Sequence, residues 1–382
     1  MPKEQRLYWQ SCRNYTGYKP CPQRGSGEFC PEHGCNKYTP EDRVMVLILR
    51  PFHLGNIIKT TPVIEMLDEK YHGKAMIYWA YSGLGGELLN GHQNLAGTFN
   101  IQRADELMYM RSIHWDYVLS LDADHRSACL VDALAYDDMT GYYLDGSPPK
   151  IFATEDFEAI FRLGVDNMFR FRSNMKVPLE QNYRKLLLDN PEKESYPYSF
   201  VYGRGTSAPT RRLGQPCIGL WLGGSRSRFQ TKEWPIGHWE GLATKLRGRN
   251  VVVQTDPNNF QRAAQIFSIL HDRYPKHEEV IQPISDFTCW LKHIDCLVSE
   301  DNFGMHAAVG MGTPVVGLFG PTPTWESPIG EHGIYVRKPL TCGPCYTRQI
   351  YDCDNKHQCM RSIQPIEVEL AINQILKETK RG

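Results

Sequence analysis

The stretch CLVSEDNFGMHAAVGMGTPVVGLFGPTPTW, residues 296–325, carries the reading of the fold. CLVSE (296–300) is a short apolar run of the kind a buried parallel strand needs. GMHAAVGMG (304–312) changes to helical spacing, and TPVVGLFG (313–320) is a second buried strand. No Asp, Glu, Lys or Arg lies between Asn302 and Trp325, a run long enough to raise the question of a membrane helix. Gly304, Gly310, Gly312, Gly317, Gly320, Pro314, Pro321 and Pro323 punctuate it. It therefore divides into helix, turn, strand and loop. Strand, helix, strand is the unit of an open α/β sheet, whose ligands bind beyond the carboxyl ends of the strands. Asp301 and Asn302 fall at one such end, and Gly320, Pro321 and Thr322 at the next.

The same alternation extends outward. CIGLWLGG (217–224) and NVVVQT (250–255) read as strands, and HWEGLATKLR (238–247) and FQRAAQIFSILHDRY (260–274) as helices. DFTCWLKHI (286–294) is a short helix and PIEVELAINQILKETK (365–380) a terminal one. In the first half VMVLIL (44–49) is a strand leading to a loop at Gly55. Thr61 then reads as N-cap and Pro62 as first residue of an amphipathic helix. AMIYWAY (75–81) is a strand, and DYVLSLDADHRSACLVDALA (116–135) a strand running into a helix. Residues 137–215 are less periodic, with a helical pattern around Leu179–Leu188 and the composition of an interdomain connection at 191–216. The expectation is an α/β chain with two Rossmann-like domains facing a cleft, at 44–200 and 201–382, behind a Cys-rich extension at 1–43.

The 382 residues suit two domains. With 41% hydrophobic and 23% charged residues the chain is neither disordered nor a coiled coil. The 43 Lys and Arg balance the 43 Asp and Glu, so no overall pull toward nucleic acid or an anionic membrane follows. The first twenty residues lack an apolar signal-peptide core, and the expected location is cytoplasmic. The twelve cysteines are unevenly placed. Cys342, Cys345, Cys353 and Cys359 read Cys-x2-Cys-x7-Cys-x5-Cys; in a reducing compartment this suggests a tetrahedral S4 site for structural iron or zinc, against the alternative of reduced loop thiols. Cys12, Cys21, Cys30 and Cys35 form a second set without a Cys-x2-Cys knuckle, with His33 available as a ligand.

Three strand ends carry candidate chemistry. Asp301, with His306 five residues on, could accept sugar hydroxyls beside a helix N-terminus that attracts phosphate; alternatively it is only a cap. Gly320 and Thr322 offer donors at the next strand end. GGSRSRFQTKEWP (223–235) gathers Ser225, Arg226, Ser227, Arg228 and Lys232 in a Gly-headed loop able to bind a diphosphate.

KEWPIGHWEGLA, SEDNFGMHAAVGMGTPVVGLFGPT and LGNIIKTTPVIEMLDEKYHG together resemble glycosyltransferase family 9, the heptosyltransferase family, from about Val44 onward. The resemblance implies a GT-B fold and an inverting transfer from an ADP-heptose type donor that needs no cofactor. It places Lys232 on the donor diphosphate, and Asp301 and Asn302 near sugar hydroxyls or phosphate, with His306 in support. Gly320 and Thr322 would shape the nucleotide pocket, Ser225 and Ser227 supply hydroxyls, and Asp256 would reach a ribose. The acceptor would be a hydroxyl of lipopolysaccharide, another glycan, lipid-linked or not, or a protein, with the enzyme peripheral to the inner membrane.

Two departures stand out. The family's Gly-Asp, whose Asp is the favoured general base, is Gly55-Asn56 here, and a neutral amide cannot take the proton. Asp122 then becomes the preferred base and Asp124 the second choice, both alternatively helix caps, with Asn56 left to orient substrate. Phe303 stands where the family prefers Gly. Arg50, Lys59, Arg103 and Arg126 could furnish a basic acceptor surface. The distal cysteines resemble an iron-holding tail of some family 9 members and the proximal set an N-terminal extension in others; neither lies in the motif-bearing loops, and both are read as structural clamps or interaction modules rather than catalytic centres.

Overall fold

The computed structural model describes residues 43–166, 176–203, 215–224, 229–346 and 349–378, and two sheets organise them. The first holds β1 (Val44–Leu49), β2 (Ala75–Tyr81), β3 (Gly97–Asn100), β4 (His114–Ser120), β5 (Ala135–Asp145) and β6 (Lys150–Ala153), in the order β3-β2-β1-β4-β5-β6. All its pairs are parallel except β5 with β6. The second holds β7 (Cys217–Trp221), β8 (Asn250–Gln254), β9 (Cys296–Glu300), β10 (Val315–Phe319) and β11 (Ile334–Arg337), ordered β11-β10-β9-β7-β8 and wholly parallel. Every residue of β7, β9 and β10 is buried. That explains their unbroken apolar runs: helices cover both faces of a parallel sheet.

Each sheet reverses direction in its middle. The chain goes from β1 outward through β2 and β3, then returns to lay β4 on the other side of β1; β7 stands likewise between β8 and β9. These are topological switch points, where diverging loops leave a crevice at the carboxyl ends of the strands. The loops there begin at Arg50, Leu121, Leu222 and Asp301.

Helix Leu54–Thr60 of the first half lies on helix Phe303–Gly310 of the second. Gly55 permits this approach: a Cβ there would stand 3.2 Å from His306 Cδ2 and 3.3 Å from the Phe303 nitrogen. The largest buried apolar cluster accordingly crosses the halves, joining Ile57 and Ile58 to Trp221, Phe287 and Met305. Helix Leu179–Leu187 packs on Pro62–Lys70, and helix Pro365–Glu378 on Ile236–Leu246. No helix among the described residues is long and apolar enough to cross a membrane.

Two local expectations fail. Thr61 stands at the N-cap position before Pro62 but does not cap: its backbone is right-handed helical and its hydroxyl donates back to the Ile58 carbonyl at 2.7 Å. Helices Leu54–Thr60 and Pro62–Lys70 nearly abut, separated because Pro62 brings no N–H to the ladder. The helix expected through residue 135 is only His125–Val131, and β5 with β6 follows in the stretch that was aperiodic. This edge ribbon buries little of its length, so it needs no apolar run.

Candidate active site

Asp301 is the centre of the cluster at the second switch point and is 5% exposed. Lys232, at the end of the turn Gln230–Lys232, donates to Asp301 Oδ2 at 2.7 Å and to its carbonyl at 3.1 Å. The Thr322 hydroxyl donates to the same Oδ2 at 2.7 Å, bringing in the loop after β10. Oδ1 accepts from Ser327 Oγ at 3.3 Å and faces His306 Nε2 at 3.4 Å. Burial alone would raise the Asp301 carboxyl, but Lys232, His306 and Lys59 hold it well below the usual carboxylate range. Burial lowers His306 to about 4, so its ring is neutral at pH 7 and Nε2–H is the natural donor to Asp301. Its Nδ1 is buried with no hydrogen-bond partner among the described residues. An ionised carboxylate, an ammonium and a hydroxyl thus meet at the N-terminus of helix Phe303–Gly310. That set can hold both a diphosphate and sugar hydroxyls.

At the first switch point Arg50 Nη1 lies 3.3 Å from Asp122 Oδ1 and also donates to the Leu121 carbonyl. Asp122 Oδ2 accepts the Phe52 N–H at 3.2 Å. Lys59 connects the two clusters. It leaves the first-half helix and donates to Ser327 Oγ at 3.4 Å. Burial lowers its pKa, opposed by Glu326 and Asp301 of the second half and reinforced by Lys232 and Arg50. Tyr142 is pushed up to about 12, chiefly by burial, and lies within electrostatic reach of Arg50, Asp122 and Glu326. The charged groups of the two switch points are therefore within electrostatic reach of shared residues, Lys59 and Tyr142.

A family profile described as glycosyltransferase family 9 (heptosyltransferase) matches residues 108–353, more than half the chain. The chain belongs to this family. No curated protein matches the glycosyltransferase, whereas solved structures share its fold. E. coli ADP-heptose LPS heptosyltransferase II superposes with a TM-score of 0.62 at 16% identity, over 88% of this chain and 99% of that one. E. coli heptosyltransferase WaaC with ADP-2-deoxy-2-fluoro heptose gives 0.56 at 15% identity, over 88% and 100%. The iron-containing dodecameric glycosyltransferase TibC from enterotoxigenic E. coli H10407 gives 0.54 at 14% identity, over 92% and 85%. At these identities the likeness is one of fold, GT-B.

The other expected site residues of the family 9 chain have local partners. Asp124 caps helix His125–Val131, accepting the Arg126 N–H at 2.9 Å and pairing with the Arg126 guanidinium. Asn302 caps helix Phe303–Gly310 and ties its amide to the Gly223 carbonyl at 2.8 Å. Asp256 accepts the Gly224 and Asn258 N–H groups at 2.7 and 2.9 Å. Asn56 lies within helix Leu54–Thr60, its carbonyl accepting from Thr60 Oγ1 at 2.9 Å. Of the basic surface, Arg50 and Lys59 enter the crevice, whereas Arg103 pairs with Asp105 and Glu106. Phe303 packs on Trp221 and Phe287, ring centroids 5.8 Å from each. Ser225 and Ser227 lie outside the described residues, as do Cys12, Cys21, Cys30 and Cys35.

Cys342, Cys345, Cys353 and Cys359 line a single pocket of about 100 Å³ together with the loop from Gly320 to Trp325. They lie outside the motif-bearing loops in sequence but beside one of them in space. The chain after β11 folds back onto the strand end, and a Cβ on Gly320 would meet Met360 Sδ at 2.6 Å and Cys359 Sγ at 3.0 Å. Burial, with the neighbouring thiols, pushes Cys359 up to about 11. Among the described residues no three His, Cys, Asp or Glu are arranged to hold a metal ion, so the donor chemistry suits iron or zinc but the present arrangement does not form a coordination site.

Proposed function

We propose that this glycosyltransferase moves a sugar, heptose by preference, from an ADP-sugar to an acceptor hydroxyl with inversion at the anomeric carbon. The second half (201–382) takes the donor and the first (44–200) the acceptor. The observation that carries the reading is the placement of Lys232–Asp301–Thr322 and Arg50–Asp122 at the two switch points, with Lys59 reaching from one to the other. WaaC with an ADP-heptose analogue and heptosyltransferase II support the choice of donor.

In the proposed step the acceptor oxygen attacks the anomeric carbon and the bond to the diphosphate breaks. Its electron pair leaves with the nucleotide. Lys232, with Lys59 nearby, stabilises the growing negative charge. Asp122 takes the acceptor proton; two of the roughly four lone-pair sites of its carboxylate remain beyond those used by Arg50 and Phe52. The reaction runs in the cytoplasm, at the inner membrane when the acceptor is lipid-linked. The Cys-rich tail favours a protein hydroxyl as the second choice of acceptor.

Transfer or donor hydrolysis by the wild type and by Asp122→Asn tests this. The variant is expected to lose about 10²–10⁴-fold in kcat with KM for the donor little changed. Full turnover by Asp122→Asn refutes the base assignment. Binding of ADP-sugar by the wild type without turnover on any acceptor favours a nucleotide-sugar-binding scaffold instead.

A structural iron or zinc on Cys342, Cys345, Cys353 and Cys359 belongs to the same proposal, supported by their shared pocket and by iron-containing TibC. Elemental analysis of protein purified without added metal is expected to show about one equivalent at this set. Cys342→Ser with Cys345→Ser should lower it, and unchanged content rules the site out.

A further inference from the structure

We infer that His357 is a positioning residue for donor binding, through which the cysteine-bearing segment holds the turn that carries Lys232. The inference rests on the reading of Lys232 and Asp301 as the donor-diphosphate site. His357 lies between Cys353 and Cys359 and is 3% exposed. Its Nε2 stands 2.6 Å from the carbonyl of Thr231, the residue before Lys232. A carbonyl only accepts, so Nε2 carries the proton and donates. Its backbone takes a left-handed φ of 61°, which a residue with a Cβ adopts only where its surroundings fix it. One such restraint is its own N–H, donating to Cys353 Sγ at 3.3 Å.

The same segment grips the other arm of the Asp301 cluster. The Cys345 and Tyr346 N–H groups both donate to the Pro321 carbonyl, at 3.0 and 3.1 Å, and Thr322 follows with its hydroxyl on Asp301. The turn Gln230–Lys232 is a single short 3₁₀ piece with little stiffness of its own. The position of the Lys232 ammonium over Asp301 therefore follows where the segment 342–359 places the Thr231 and Pro321 carbonyls. The cysteine-bearing segment bears on donor binding through this frame.

The test is calorimetric titration of the full chain with ADP. Lys232→Ala checks the reading underneath: it should bind ADP much more weakly than the wild type. His357→Asn keeps a polar side chain too short to reach Thr231, and is expected to raise the Kd for ADP about tenfold. His357→Gln, whose amide N–H comes where Nε2–H stood, should return it to within about threefold of wild type. Folded His357→Asn with wild-type affinity beside an impaired Lys232→Ala overturns the inference, as does equal weakening in Asn and Gln. Unimpaired Lys232→Ala removes the donor reading itself and the inference with it. A measurement without variants guards against misfolding: by reciprocity, saturating ADP must slow amide exchange in the wild-type peptide containing His357. Unchanged exchange there also overturns the inference.

Discussion

His306 and Glu300 are buried within one site and respond to acid in opposite senses. Burial takes His306 from the ordinary 6.5 to about 4. The unfolded chain binds that proton first, so the stability from His306 is lost as pH falls through this window. Glu300 accepts the Trp234 N–H at 2.7 Å, and burial pushes it from 4.5 up to about 7. The folded chain binds that proton first, so its stabilisation is complete below about 4.5 and lost as pH rises through about 7. The two nearly cancel between pH 4.5 and 6.5. Glu300→Gln keeps the acceptor for Trp234 but leaves His306 unopposed. Urea denaturation should then show the variant losing about 2 kcal/mol more than the wild type on acidification from pH 6.5 to 4.5; parallel profiles would show the Glu300 shift to be absent. Glu300 and His357 gave no signal in the sequence beyond their identity, and Lys59 was legible only as one of four basic residues for an acceptor surface. Each matters because of a neighbour far along the chain: Trp234, Ser327 or Thr231. Asp301 was marked by its strand-end position, which points to a crevice, and Lys232 by the Gly-headed loop that follows β7. The same rule marked Asp124, Asp256 and Asn302, which in the structure cap the next helix or turn, as Asx residues at strand ends often do.

Helix Leu54–Thr60 illustrates what an element contributes beyond its residues. Its N-terminal glycine touches helix Phe303–Gly310, its isoleucines enter the shared core and its lysine reaches Ser327. Gly55→Ala would put a methyl 3.2 Å from His306 Cδ2 and 3.3 Å from the Phe303 nitrogen. The second contact is backbone, which cannot rotate away, so the helices must separate slightly. We expect a loss of about 1–2 kcal/mol in unfolding free energy, with weaker ADP binding because His306 moves; chemical denaturation and calorimetry together would check it, and an unchanged pair of values would show the contact to be slack. The central strands were readable with near-correct limits because buried parallel strands write themselves as apolar runs, whereas the short edge strands β3 and β11 were not read. The β5–β6 ribbon was not, because an edge half in water carries no such run.

At the scale of the molecule, donor binding and folding are linked. The apolar core crosses both halves, so unfolding should be one cooperative transition that ADP shifts as a whole. At a hundred times its Kd, ADP should add about 2.7 kcal/mol to the unfolding free energy. Lys232→Ala at the same ADP concentration should show almost none of this, and a melt with two transitions of which only one moves would contradict a shared core. The sequence by itself determined the alternation of strand and helix, the α/β class, the two successive halves and the strand ends where chemistry could sit. Those are written locally, in period, punctuation and residue type. Only the tertiary structure decided which ends face each other, that Lys59 crosses to Ser327, and that the cysteine-bearing segment meets the Thr231 and Pro321 carbonyls. Such pairings join residues scores or hundreds of positions apart. They are set by how sheets reverse and helices pack, which no local pattern encodes.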